Sequence, residues 1–196
     1  MPRPSLKDQR SAEILDAYLT CVARFGLDGA TQERIAAEAG VKRPLLRHYL
    51  GNRDQMIGAL TDHVVAQYGE AIEMLEHALA PDLSAPELVE LLFAEEGGTD
   101  PRLMLAYQAL VTAAPEYPDM RDPLLRSLAR FLDVIEQALS RAVPAAPRGL
   151  VRAVAQGIAA SHVNLDALSP LSPPAEWRAE LKQAAMILAA HLEASS

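Results

Sequence analysis

The chain has 196 residues, half of them hydrophobic, 22% charged and 5% aromatic, with a formal net charge of −8. A mean hydropathy of +0.03 excludes a disordered tail and a membrane protein, and no apolar run reaches the ~18–20 residues that span a bilayer. A single cysteine, Cys21, excludes an intrachain disulfide and any zinc site built on several cysteines. The opening stretch MPRPSLKDQRSAE lacks an apolar signal core, so the expected location is cytoplasmic, with no membrane partner. The charge is uneven. Residues 1–55 hold nine Lys/Arg, including Arg3, against seven Asp/Glu, whereas the remainder holds nine against nineteen. A basic head on an acidic body fits a chain in which only the head meets a polyanion.

Helical spacing recurs along the chain and sustained period-2 alternation is missing, which predicts an all-α protein of about nine helices. Segment 8–25 places Ile14, Leu15, Tyr18, Val22 and Phe25 on one stripe, and Gly26 stops it. Thr31 is a good N-cap for a second helix running to about Ala39, which Gly40 ends. A third begins near Arg43, with Pro44 tolerated in its first turn, and ends at Gly51–Asn52. The fourth runs from Arg53–Asp54 to about Ala80 with Met56, Leu60, Val64, Tyr68, Ile72, Leu75 and Leu79 on its apolar face. A fifth starts at Ser84 and Pro86 and stops at Gly97–Gly98. A sixth runs from Asp100–Pro101 to near Pro115, and a seventh over about 119–142 carries Leu124, Leu128, Phe131, Ile135 and Leu139. The last two cover about 148–167 and 174–193, bounded by prolines.

The two short helices meeting at Gly40–Val41 form a helix-turn-helix candidate. Glycine tolerates the positive φ of a sharp turn, and Val41 wedges the helices apart. Ile35, Ala36 and Leu46 turn inward, leaving Arg43, Leu45, Arg47 and part of Tyr49 outside. This mix suits the major groove: arginine donates two bonds to guanine O6 and N7, leucine meets a thymine methyl, and Lys, Arg, Thr and Tyr reach phosphates.

Residues 10–56 resemble the N-terminal DNA-binding domain of the TetR family of transcriptional regulators. The matching residues are Ile14-Leu15-Asp16-Ala17, Gly26, Thr31, Ile35-Ala36, Ala39-Gly40-Val41, Arg43, Leu46, His48-Tyr49, Asn52 and Arg53. The chain departs from the family's pattern at Lys42, Arg47, Leu50, Tyr18 and Val22. Lys42 and Arg47 add charge at the expected groove face and so bear on which bases are read. The resemblance implies a helix-turn-helix domain over residues 1–52 and a larger helical domain for ligand binding and dimerisation over 53–196. It also implies a homodimer, usually a repressor, that binds double-stranded DNA at a palindromic operator and is released by a small-molecule effector. Arg43, Pro44, Leu45 and Arg47 would then face bases, with Lys42 and His48 on the same surface. Gln32, Tyr49 and Arg53 would face the phosphate backbone, and Thr31 would cap the positioning helix. The last two helices would pack against their copies, with Ala153, Gly157, Ala160 and Ser161 allowing close approach. A helical small-molecule-binding protein without specific DNA recognition is the alternative.

For the effector, helical placement nominates Tyr68, Met104, Tyr107, Gln108 and His162 as lining residues, since methionine adapts to varied ligands and a few polar groups orient them. Trp177 fits either that lining or the dimer interface. Enzyme readings find no support. The histidines form no His-x-x-x-His or Glu-x-x-His motif, and there is no phosphate-cradling glycine loop and no G-x-S-x-G. No cofactor and no metal are expected.

Overall fold

The computed structural model describes residues 6–94 and 100–195. Arg3 and the Gly97–Gly98 stop lie outside them. The described residues form nine α-helices and no strand: α1 (Leu6–Gly29), α2 (Gln32–Glu38), α3 (Arg43–Leu50), α4 (Arg53–Ala78), α5 (Ala85–Leu92), α6 (Pro101–Ala113), α7 (Arg121–Ala142), α8 (Arg148–Leu168) and α9 (Ala175–Ala194). A short 3-10 turn at Pro118–Met120 precedes α7, and another at Ser169–Leu171 follows α8. The chain divides into two compact units, Met1–Gly69 with Arg102–Ser127, and Glu70–Pro101 with Leu128–Ser196.

The first unit is built on a core of Ile14, Tyr18, Leu19, Val22, Ile35, Leu46, Leu50, Met56, Ile57 and Leu60, joined by Leu103, Leu110 and Leu124. Gly26 (φ 70, ψ 173) breaks α1 where the stop was expected, and a last turn then continues to Gly29. Phe25 departs from its expected place in the core. It is 48% exposed, and the Arg34 guanidinium covers its ring at 4.4 Å, a cation–π contact that shields the apolar face without burying it. Thr31 caps α2, its hydroxyl accepting from the Arg34 amide. Gly40 ends that helix with φ 62. Its amide donates to the Ala37 carbonyl and the Val41 amide to that of Ala36, at 3.2 and 2.9 Å, the paired bonds of a Schellman motif. A Cβ at Gly40 meets nothing within 4 Å, so only backbone strain opposes substitution. Gly40→Ala is expected to lower stability by about 1–2 kcal/mol, read as a shifted urea midpoint with an unchanged slope.

The second unit gathers Leu88, Val89, Phe93, Ile135, Leu139, Val151, Ile158, Ala185, Ala189 and Leu192. Helix α5 has a capping box, Ser84 and Glu87 reciprocally bonded. It ends at Leu92, earlier than the glycine stop predicts. The reason is a long-range contact: Arg178 on α9 donates to the carbonyls of Phe93 and Ala94, each at 3.1 Å, and satisfies acceptors that further helix would otherwise use. On α7, Leu128 is 41% exposed although its spacing places it on the apolar stripe. Helices α8 and α9 pack closely. A Cβ at Gly157 would lie 2.6 Å from Leu188 Cδ1, so this glycine serves contact within the chain, whereas Ala153 and Ala160, one turn to either side of it, are exposed.

Candidate nucleic-acid interface

The short helix α3 has two faces. Leu46 and Leu50 are buried beneath it, while Arg43, Pro44, Leu45, Arg47 and His48 are exposed and Tyr49 is half-buried. Leu45 is 42% exposed, an apolar side chain turned to solvent. Lys42 takes the N-cap position of α3 with extended backbone and no side-chain cap bond, since an ammonium carries only donors and cannot accept from the first amides of a helix. His48 and Tyr49 stack edge to face at 5.2 Å.

The neighbouring helices organise the basic groups. Arg43 Nε donates to Gln32 Oε1 at 3.1 Å, and its Nη1 pairs with Glu33 Oε1 at 2.6 Å. The Gln32 amide nitrogen lies 3.8 Å from Met56 Sδ on α4. At the first residue of α4, Arg53 Nη2 pairs with Asp28 at 2.8 Å, and its Nε donates to the Tyr117 hydroxyl at 3.4 Å. That hydrogen bond raises the guanidinium pKa further above an already high value. Beneath them, burial pushes the Tyr18 phenol up to about 12. Arg102, near the start of α6, donates to Thr20 Oγ1 at 2.7 Å and forks onto Asp16 with both contacts at 3.3 Å.

The ten residues nominated from the sequence (Thr31, Gln32, Lys42, Arg43, Pro44, Leu45, Arg47, His48, Tyr49 and Arg53) all belong to the first unit, and only Gln32 and Tyr49 are not exposed outright. Sequence reasoning missed Asp28, Glu33 and Tyr117, which hold the arginines. Acidic residues in a first helical turn are common for reasons of helix dipole alone, so Glu33 carries no distinctive signal in the sequence.

The effector-side nominations divide between the units. Tyr68, Met104, Tyr107 and Gln108 belong to the first and His162 to the second. Tyr68 and Tyr107 meet edge to face at 5.2 Å, the Tyr68 hydroxyl reaches Met104 Sδ at 3.8 Å, and the Tyr107 hydroxyl donates to the Leu124 carbonyl at 3.0 Å. Gln108 is half-buried on α6, its backbone carbonyl accepting from Thr112. A groove of about 460 Å³ in the first unit, lined by Asp54, Asp62, Glu116, Tyr117 and Met120 among others, includes none of them. Among the described residues, no group of three or more His, Cys, Asp or Glu is placed to hold a metal, and no helix is long and apolar enough to cross a membrane.

His162 sits between Phe93 and Phe131, at 5.8 and 5.9 Å between ring centroids. Its Nδ1 is buried and has no hydrogen bond of proper geometry, although the nearby Leu92 backbone favours the charged ring slightly. Burial lowers its pKa, Asp166 opposes this, and Arg178 lowers it again. The native state therefore prefers neutral imidazole. Its contribution is complete above the unfolded pKa near ~6.5 and is lost as pH falls through the lower folded value. His162→Phe is expected to flatten the decline of melting temperature between about pH 7 and 5, followed by calorimetry. An identical decline in both proteins refutes this assignment.

A short helix with arginines and a leucine exposed, set by a glycine turn on a capped positioning helix, has the arrangement of a helix-turn-helix. Residues 14–60 match the sequence profile described as bacterial regulatory proteins, tetR family. It is 26% identical over 162 residues to the HTH-type transcriptional regulator BetI of Paraburkholderia phytofirmans, covering 82% of this chain and 81% of that one. The fold is similar to that of a TetR transcription regulator from Haloarcula marismortui, with a TM-score of 0.72, 18% identity and coverage of 94% and 98% of the two chains. It is also similar to the regulator FadR of Bacillus subtilis, solved in complex with stearoyl-CoA, with a TM-score of 0.62, 16% identity and coverage of 90% and 96%.

Proposed function

We propose that the chain is a cytoplasmic homodimeric repressor. It grips a palindromic DNA operator through residues 1–52 and lets go when a small molecule binds the helical body, residues 53–196. Its role is regulatory rather than catalytic. The observation that carries this reading is the exposure of Arg43, Leu45 and Arg47 on a helix that buries Leu46 and Leu50, which offers guanine-reading forks and an apolar contact for thymine. Arg53, Gln32 and Tyr49 supply phosphate contacts at its edge, with Lys42 and His48 nearby. Two copies related by a twofold axis place their α3 helices in successive major grooves about 34–36 Å apart. The exposed faces of α8 and α9 carry the dimer contact: Ala153 and Ala160 on one helix, Ile187 and Trp177 on the other.

Helix α4 begins at Arg53 and runs to Ala78, so a ligand that favours another tilt of α4 changes the separation of the two α3 helices without touching DNA. Driving that equilibrium nearly to completion takes about 5.5 kcal/mol of differential affinity. Tyr68, Met104, Tyr107, Gln108 and His162 remain the proposed effector-facing residues, with Tyr68, Met104 and Tyr107 supported by their mutual contacts.

The test is selection of bound duplexes from a random-sequence pool, followed by titration of the selected duplex and its scrambled counterpart at several salt concentrations. Arg43→Ala is expected to cost about 1–3 kcal/mol at one base position in each half-site. Arg53→Ala is expected to weaken all duplexes alike and to reduce the salt slope by about one for each phosphate that Arg53 neutralises. A pool that yields no preferred sequence overturns the reading and leaves a helical small-molecule-binding protein.

A further inference from the structure

We propose that Glu33, acting with Gln32, is a specificity-determining positioning residue that clamps Arg43 for base reading. The inference rests on the reading of α3 as the groove-entering helix. The Arg43 guanidinium has five N–H groups in a rigid fork. Its Nε is committed to Gln32 Oε1 at 3.1 Å and one Nη1 hydrogen to Glu33 Oε1 at 2.6 Å. Three N–H groups remain, on the Nη1 and Nη2 end that serves the two acceptors of a guanine edge. The orientation of Gln32 is itself set. Arg43 Nε is a donor only, so the Gln32 oxygen must face it, and the amide nitrogen then lies 3.8 Å from Met56 Sδ, a side chain buried in the core. The chain of contacts runs from a buried methionine through one amide to the arginine.

Glu33 and Arg43 are 62% and 61% exposed at the side chain, so the pair adds little to folding. Its effect is on direction. On a duplex of the wrong sequence, a free arginine swings to the nearest phosphate and gains affinity without information. Here that swing strands the Glu33 carboxylate beside a polyanion, a penalty that the correct site avoids because Arg43 reads the base from within the clamp. The general binding electrostatics are thus traded for discrimination at one position.

The experiment compares wild type, Glu33→Ala, Glu33→Asp, Arg43→Ala and Glu33→Ala/Arg43→Ala on the selected duplex and on its scrambled counterpart. Aspartate keeps the charge but shortens the reach by about 1.5 Å, one C–C bond. The clamp predicts that both Glu33→Ala and Glu33→Asp narrow the selected-to-scrambled affinity ratio by about tenfold, with the guanine preference at the Arg43 position lost. In the Arg43→Ala background, Glu33→Ala is expected to change both duplexes by the same factor. The clamp alone is overturned if Glu33→Asp behaves as wild type while Glu33→Ala shifts both duplexes equally, the behaviour of a plain surface charge. It is also overturned if the narrowing persists without Arg43. A wild-type chain with no sequence preference, or an Arg43→Ala variant with an unchanged ratio, overturns the reading of α3 and the clamp with it.

Discussion

Replacing Ile187 with glutamate is expected to split the proposed homodimer and to lower operator affinity by at least about a hundredfold. Ile187 is 60% exposed within the chain, so the substitution leaves the folded protomer almost untouched, as surface changes generally do. A twofold interface repeats the substitution on both copies, and two carboxylates enter an apolar contact with no partner for either charge. Operator affinity then falls because two half-sites are held together only through the protein. Once one α3 is docked, the second binds at the high effective concentration that the dimer provides, and the separated chains lose that advantage. Sedimentation should report a species of 21.2 kDa, the mass of one chain, in place of one twice as heavy. A variant that sediments as the dimer places the interface elsewhere on the surface.

The second large effect is at Leu46, where truncation to alanine is expected to remove about 2–5 kcal/mol of stability. Leu46 is 0% exposed and belongs to the core of the first unit. Typical domains hold only about 5–15 kcal/mol in total, so α3 would lose much of its anchorage, seen as faster amide exchange in residues 43–50 and an earlier urea midpoint. The neighbouring Leu45, 42% exposed, is the control. Leu45→Ala is expected to leave stability within about 0.5 kcal/mol while weakening discrimination at a thymine. Adjacent leucines with opposite consequences follow directly from a helix that buries one face and presents the other.

That two-faced character was legible in the sequence, as were most helix ends, because both are local. Gly26 and Gly40 take positive φ, Thr31 caps its helix, and Pro147 and Pro174 stand at the N-caps of α8 and α9. Each signal lies within a turn of the boundary that it sets. What the sequence hid is held by contacts with no characteristic spacing. The end of α5 depends on Arg178, some eighty-five residues away. Arg53 is held by Tyr117, sixty-four residues on, and Arg43 by Glu33, ten residues back on another helix. The same limit applies to Phe25 and Leu128, whose periodicity indicates an apolar stripe without saying what covers it. Gly157 likewise carries a small-residue signal that cannot distinguish a neighbour in the same chain from one in a second copy, and here the neighbour is Leu188.

Helix α6 is fastened near both extremities. Arg102, its second residue, is tied to Asp16 and Thr20 on α1, and Tyr117, four residues past its end, is tied to Arg53 where α4 begins. A rod of 13 residues is about 20 Å long, so a tilt of about 5° carries one tip roughly 1.7 Å past the other. That displacement is enough to break a hydrogen bond. The rod therefore works as a cross-brace: it cannot rock without straining either the arginine fork at one tip or the phenol at the other, and strain at the phenol is delivered to Arg53, the guanidinium proposed to meet a phosphate.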